Sequence, residues 1–194
     1  MQIAEGAIEC YADIGYALTT FEKIAEKCKI SRPLIKHYFD TREEVFDFSI
    51  RYIRANFQRL AIEYIGEGRT TLEKLERYVT STFHWLDRFP THIRVWIYYL
   101  HYCSIVDSMK EQNTEFVNIG HDRIAALIQL GIDEGKFNVS DLRAAAKQVQ
   151  VIISGALITC VCEDLYVTRK EFESQTLDLC YKIVGYSESS SGLT

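Results

Sequence analysis

Only two prolines, Pro33 and Pro90, occur in 194 residues, and most of the ten glycines fall where apolar stripes end. A chain with so few helix breakers, whose apolar side chains recur every three to four residues, is constrained to an all-α fold. Ile3, Ala7, Tyr11 and Ile14 form the first stripe, and Gly15 follows where a helix stop belongs. No alternation of period two persists anywhere, so no strand is expected.

The stretch "TTFEKIAEKCKISRPLIKHYFDTREEVF" (residues 19–46) reads as two short helices broken at Lys29-Ile30-Ser31, followed by the start of a longer one. Thr19 is read as the cap of the first, over residues 21–28, because Glu22 three positions on completes a capping box. A cap at Thr20 would put Lys23 there and lose it. Ser31 is the cap of the next helix, with Pro33 in its first turn, where a missing N–H costs little. Asp40-Thr41 precedes a fourth helix running to about residue 65, with Glu43 and Glu44 favourable to its dipole. "GEGRT" at 66–70 is a break. Further helices are expected at about 71–89, 91–107, 110–134, 142–164 (capped by Ser140 or Asp141) and 170–186. That makes about nine helices and a frayed tail at 187–194. The expected division is a head at residues 1–46 and a larger body at 47–186, linked by the helix at about 42–65.

Composition narrows the function. A 47% hydrophobic and 25% charged chain is globular rather than disordered. No uninterrupted apolar run reaches the roughly 20 residues that span a membrane, and "MQIAEGAIECYADIG" lacks the basic and apolar regions of a signal peptide, so a cytoplasmic protein with no membrane partner is expected. Six irregularly spaced cysteines without a CxxC do not make a disulfide framework. No two of His84, His92, His101 and His121 pair with another His or Cys at i, i+4, so no metal is expected. Nucleophile-elbow, phosphate-loop and zinc-protease motifs are absent, so neither an enzyme nor a cofactor is expected.

The formal charge of −5 excludes bulk coating of nucleic acid, but residues 19–42 carry six Lys/Arg against three acids. A helix-turn-helix lays its second helix in the major groove of duplex DNA. That helix presents Arg32, Pro33, Leu34, Lys36, His37 and Tyr38. Arg32 and Lys36 are candidate donors to guanine edges, and Pro33 or Leu34 a candidate contact to a thymine methyl. Thr19, Thr20, Tyr38 and Arg42 are candidate phosphate contacts on the flanks.

Residues 1–54 resemble the TetR family of transcriptional regulators. The linked features are "AIECYADIGYALTT", "IAEKCKIS" and "IKHYFDTREEVF". "GIDEGKFNVSDLRAAAKQVQVIISG" also resembles the family's approach to its dimerisation helices. The resemblance implies a dimeric, ligand-responsive repressor of a DNA operator. It also implies base or backbone contacts at Arg32, Pro33, Leu34, Lys36 and Tyr38, and phosphate contacts at Thr20 and Arg42. The chain departs from the pattern at Lys36, where tyrosine is usual, and at Lys29, where glycine is usual. It begins almost at its first helix, without the basic arm of many members.

In the body, "FHWLDRFPTHIRVWIYYLHYC" is dense in aromatics and suits the wall of a cavity for a flat, apolar or aromatic effector. Trp96, Tyr99 and Cys103 share one face by spacing, and Phe116, Ile119 and Arg123 a neighbouring one. A partner surface is expected from Val149, Ile152, Ile153, Ala156, Leu157 and Cys160, with Leu177, Cys180, Ile183 and Val184 on the last helix. Two such helices from each subunit would form a four-helix bundle in a homodimer. Two other readings remain open from sequence: a regulator acting through protein contacts alone, and a redox sensor using Cys160 or Cys162.

Overall fold

A computed structural model of the chain describes residues 1–186; the expected tail at 187–194 lies outside them. The described residues form nine α-helices and no strand: α1 (Gln2–Leu18), α2 (Phe21–Cys28), α3 (Arg32–Tyr38), α4 (Arg42–Glu67), α5 (Thr71–Arg88), α6 (Pro90–Cys103), α7 (Asp107–Asp133), α8 (Leu142–Cys162) and α9 (Arg169–Val184).

The helix boundaries follow local chemistry. Gly15 (φ 77°, ψ 166°) breaks the regular helix of α1. The cap of α2 is Thr20, whose hydroxyl accepts from the Lys23 amide, and not Thr19, so the expected capping box is not formed. Thr19 instead turns inward and donates to the Gly15 carbonyl at 2.8 Å, serving the end of α1. Ser31 occupies the cap position of α3, but its hydroxyl makes no capping bond. Thr41, Thr70 and Asp141 cap α4, α5 and α8 through their side chains, while Thr168 and Glu171 form a complete capping box on α9. Pro90 opens α6 at its first turn, and that helix stops at Cys103, earlier than its apolar run suggests, where Ile105 and Val106 amides turn back onto the Tyr102 carbonyl.

Two apolar cores result. One joins the head to the upper body: Ile8, Tyr11, Ile24, Ile35 and Phe46 are continuous with Trp85, Ile93, Val95 and Tyr99. The apolar packing therefore does not divide at residue 46. The second core, lower in the body, packs α5, α7, α8 and α9 around Leu75, Val79, Ile124, Ile128 and Val149. The 21-residue α8, with a mean hydropathy of 1.5 over its most apolar window, is by length and composition apolar enough to cross a membrane, against the sequence expectation. Its small residues (Ala, Gly, Ser, Cys) disguise the run in the sequence; in the fold one side packs on α5, α7 and α9.

Lys29 ends α2 in the left-handed region (φ 55°, ψ 42°), a conformation that charges a Cβ-bearing residue roughly 1–2 kcal/mol. That is the physical reason for glycine at this turn. At Gly6, α1 approaches α2 so closely that a Cβ would lie 2.2 Å from the Cys28 sulfur. Lys29→Gly should therefore raise stability by roughly 0.5–1 kcal/mol after its own chain entropy is subtracted. Gly6→Ala should lower it by about 1–3 kcal/mol. Thermal unfolding of the two variants beside wild type reads both signs.

Candidate nucleic-acid interface and a buried cavity

The seven residues of α3 bury only Ile35; Arg32, Pro33, Leu34, Lys36, His37 and Tyr38 are all exposed. His37 and Tyr38 meet edge to face with ring centroids 5.1 Å apart. Among the described residues, Lys23, Lys29 and Lys36 have no carboxylate partner, whereas Lys27 is held by Glu9 and Asp13 at 3.2 and 3.1 Å. Arg32 is engaged too: its Nε lies 2.7 Å from Glu22 Oε1. Backbone and Thr20 hydrogen bonds, helped by Arg32, hold the Glu22 carboxyl below the usual carboxylate range, so the pair is charged at neutral pH.

Two flanking candidates are corrected. Thr19 is 1% exposed, with its hydroxyl spent on Gly15, and is not available to a phosphate. Arg42 donates through Nη1 to the Ala17 and Thr19 carbonyls at 3.3 and 3.2 Å and lies over the Tyr16 ring, so it closes the end of α1. Thr20 remains at the surface as a cap.

In the body, five helices line a cavity of about 170 Å³ that opens beside the exposed Ser154 and Ile158 of α8. Its wall includes Trp85, Trp96, Phe57 and Phe116, with Ile153 and Leu157 from α8. Of the six residues expected there, Trp96 and Phe116 line it. Tyr99 and Cys103 lie behind the wall, buried, with the Tyr99 hydroxyl donating to the Met109 carbonyl at 2.8 Å. Ile119 is half exposed on the far side of α7, and Arg123 lines a separate hollow of about 30 Å³ beside Tyr78. Helical spacing selected a face of α6 one position away from the cavity.

The residue missed from sequence is Arg54. It lies on α4 between Ile53 and Phe57, lines the cavity, and donates through Nη2 to the Tyr99 hydroxyl. Its guanidinium sits 4.9–5.8 Å from the Tyr99, Phe116 and Trp96 ring centroids. A cation flanked by Ile53 and Phe57 on an otherwise apolar stripe was the signal available in the sequence.

Residues 3–47 match the family model of the bacterial regulatory proteins, tetR family. The head is a TetR-family head. The whole chain has the TetR-like fold: a TetR transcription regulator from Haloarcula marismortui superposes with a TM-score of 0.80 at 17% identity, covering 95% of each chain. The transcriptional regulator FadR from Bacillus subtilis, in complex with stearoyl-CoA, gives 0.79 at 22% identity over 100% of this chain and 99% of its own. A putative transcriptional regulator from Saccharomonospora viridis in complex with choline gives 0.80 at 18%, over 92% and 93%. No curated protein sequence matches the chain well enough to count as a relative. The fold is that of these solved regulators, and the match to the family model lies in the head.

The TetR-type head meets the body at a polar node as well as through apolar packing. Glu5 of α1 accepts from the Tyr52 hydroxyl at 2.6 Å and lies 3.2 Å from His92 Nε2. His92 is 1% exposed, stacks on Phe89 at 4.8 Å, and leaves Nδ1 unpartnered. Burial lowers the His92 pKa more than Glu5 raises it.

The expected partner face needs correction as well. Val149, Ile153, Ala156, Leu157, Cys180 and Val184 are buried in the subunit's own cores, and Ile152, Cys160, Leu177 and Ile183 are half buried against them. The apolar side chains left at the surface of α8 are Val151 (69% exposed) and Ile158, beside exposed Ser154, Gly155 and Cys162. The stripe legible in the sequence is the inward one.

A histidine whose folded pKa is depressed adds stability above its unfolded pKa of about 6.5, and that contribution is lost as the pH falls toward the folded value. His92→Gln, which keeps a donor for Glu5, should therefore flatten the fall in melting temperature between about pH 7 and pH 5 relative to wild type. Parallel thermal melts across that range check it.

Proposed function

We propose that the chain is a ligand-controlled transcriptional regulator that binds a duplex DNA operator as a homodimer, as a repressor released when a small effector enters the cavity of the body. The observation that carries this reading is that two helices, α4 and α6, run from the cavity to the head. Arg54 on α4 and Trp96 on α6 line the cavity, while Phe46 and Tyr102 of the same helices pack against Tyr16 of the head. A ligand that favours one disposition of α4 and α6 shifts the head with it, and operator affinity follows by linkage. The structurally similar FadR and Saccharomonospora regulators, each in complex with a small molecule, support ligand control. A long acyl chain is too large for a cavity of about 170 Å³, so stearoyl-CoA does not carry over.

In this reading residues 1–46 act as the reading head, with Arg32, Pro33, Leu34, Lys36, His37 and Tyr38 toward the major groove and Thr20 on its flank. Residues 47–186 sense and dimerise. The outward side of α8, around Val151 and Gly155, meets its two-fold mate beside the mouth of the cavity, which Ser154 and Ile158 line, and α9 completes a four-helix bundle. Two apolar side chains at the surface of an already apolar helix support this face. Redox control through Cys160 has less support, because burial raises its thiol pKa and keeps it protonated.

On a duplex from upstream of the protein's own gene, fluorescence anisotropy should show binding that weakens with salt, and Arg32→Ala should cost about 1–3 kcal/mol. Glu22→Gln, which frees Arg32, should strengthen the same complex. No binding to that duplex or to a random pool would end the DNA reading. By light scattering the wild type should be a dimer and Val151→Lys/Ile158→Lys a monomer with an intact helical spectrum; a dimer in the double variant moves the interface elsewhere.

A further inference from the structure

We infer that the cavity is built for a compact, singly charged carboxylate with one ring or a short branched body, bound through Arg54. This rests on the ligand-controlled reading above and adds the chemical class of the effector.

Three observations converge. First, charge: Arg54 is the one charged residue in the cavity wall, and among the described residues no carboxylate lies within ion-pair distance of it. Its nearest company is three aromatic rings and the Tyr99 hydroxyl, which is already committed to the Met109 carbonyl. Arg54 is half buried, and a cation withdrawn from water is ordinarily paired. Here the cavity supplies space where the missing anion fits.

Second, hydrogen bonding: three residues of the wall hold buried polar atoms without a partner, namely Arg54 Nε, Trp85 Nε1 and Asn113 Oδ1. Buried donors and acceptors are nearly always satisfied. Two of these are donors, as a carboxylate requires. Asn113 offers an acceptor for a hydroxyl or N–H elsewhere on the ligand. A neutral hydrocarbon would leave all three unsatisfied, and a cationic ligand would add repulsion from Arg54. A phosphate dianion would ask for more positive charge than one guanidinium provides.

Third, size: an apolar cavity of about 150 Å³ accommodates a benzene ring, so about 170 Å³ limits the body of the ligand to a single ring or its branched aliphatic equivalent. Apart from Gln150 and Ser154, which bond to one another, the rest of the wall is aromatic and aliphatic, which suits that body and leaves Arg54 to recognise the head.

Both tryptophans of the chain, Trp85 and Trp96, line the cavity, so intrinsic fluorescence reports on this site. Titrations of the full-length protein with benzoate, phenylacetate, their amides and benzyltrimethylammonium test the inference. The carboxylates should give saturable changes at least about tenfold tighter than the uncharged amides, with no saturation by the cation. Arg54→Gln should abolish that preference, and Arg54→Lys should keep part of it, since charge is retained and the fork is lost. The acid–amide comparison on wild type needs no variant and so stands even where Arg54→Gln unfolds. Amides binding as tightly as acids, unchanged benzoate affinity in a folded Arg54→Gln, or no saturation with any of the five overturns the inference. Carboxylate binding that leaves operator affinity unchanged supports the site and counts against ligand control.

Discussion

Phe46 holds the architecture together. One per cent exposed near the start of α4, it meets Tyr11 and Tyr16 of α1 at 5.3 and 5.1 Å and Tyr102 of α6 at 5.6 Å, all edge to face. Aromatic pairs in this geometry add about 0.5–1.5 kcal/mol each beyond burial. Without them the small head would be held, beside α4, only by the Glu5–His92 node and the remaining packing of α1 on α6, and its own three helices bury too little apolar surface to be stable by themselves. With them, head and upper body share one core. Arg54 lies eight residues further along α4, roughly 12 Å at 1.5 Å per residue, and its partner Tyr99 lies on α6 close to Tyr102. Two helices bonded to one another thus connect the cavity wall to the aromatic joint, and packed joints of this kind move between discrete arrangements rather than deforming smoothly.

Electrostatics explains how an acidic chain supports a basic reading head. The head's own acids occupy some of its cations: Glu9 and Asp13 hold Lys27, and Glu22 holds Arg32. Exposed ion pairs of this type are weak, so a phosphate or base edge exchanges Glu22 for itself at little expense. The exchange is still a competition, and it lowers affinity for any sequence that offers Arg32 nothing in return. A head whose cations are partly paired discriminates more than it attracts, and in the proposed dimer the phosphate contacts that supply affinity are doubled.

What could be read from sequence follows from range. The helix-turn-helix, the caps to within one residue at Asp40-Thr41 and Ser140-Asp141, and the break at Gly15 are decided within four residues of chain, and were legible to that precision. Thr19 against Thr20 was not, because both hydroxyls are local competitors and burial at the joint, a long-range effect, turned Thr19 inward. Arg42 looks like a phosphate ligand until the end of α1 is brought beside it, 23 to 25 residues away in sequence. On α8 the apolar stripe was correctly found, but period alone does not say whether a stripe faces the subunit's own core or a partner, and a helix apolar on most sides has both.

Arg54 also shows where the energy for control resides. Partly withdrawing a guanidinium from water without an anion is unfavourable, and cation–π contact and one hydrogen bond offset part of that cost. A carboxylate that reaches Arg54 Nε and Trp85 Nε1 gains hydrogen bonds to charged or buried groups worth about 1.5–3 kcal/mol apiece. Any difference in how well the two dispositions of the head present those donors becomes coupling free energy, and typical couplings of about 1–3 kcal/mol change affinity by roughly 5- to 150-fold. In the proposed reading linkage is reciprocal, so the operator alters carboxylate affinity by the same factor. In the same reading, a half-buried cation whose Nε lacks a partner contributes little to stability and couples an anionic ligand to the joint.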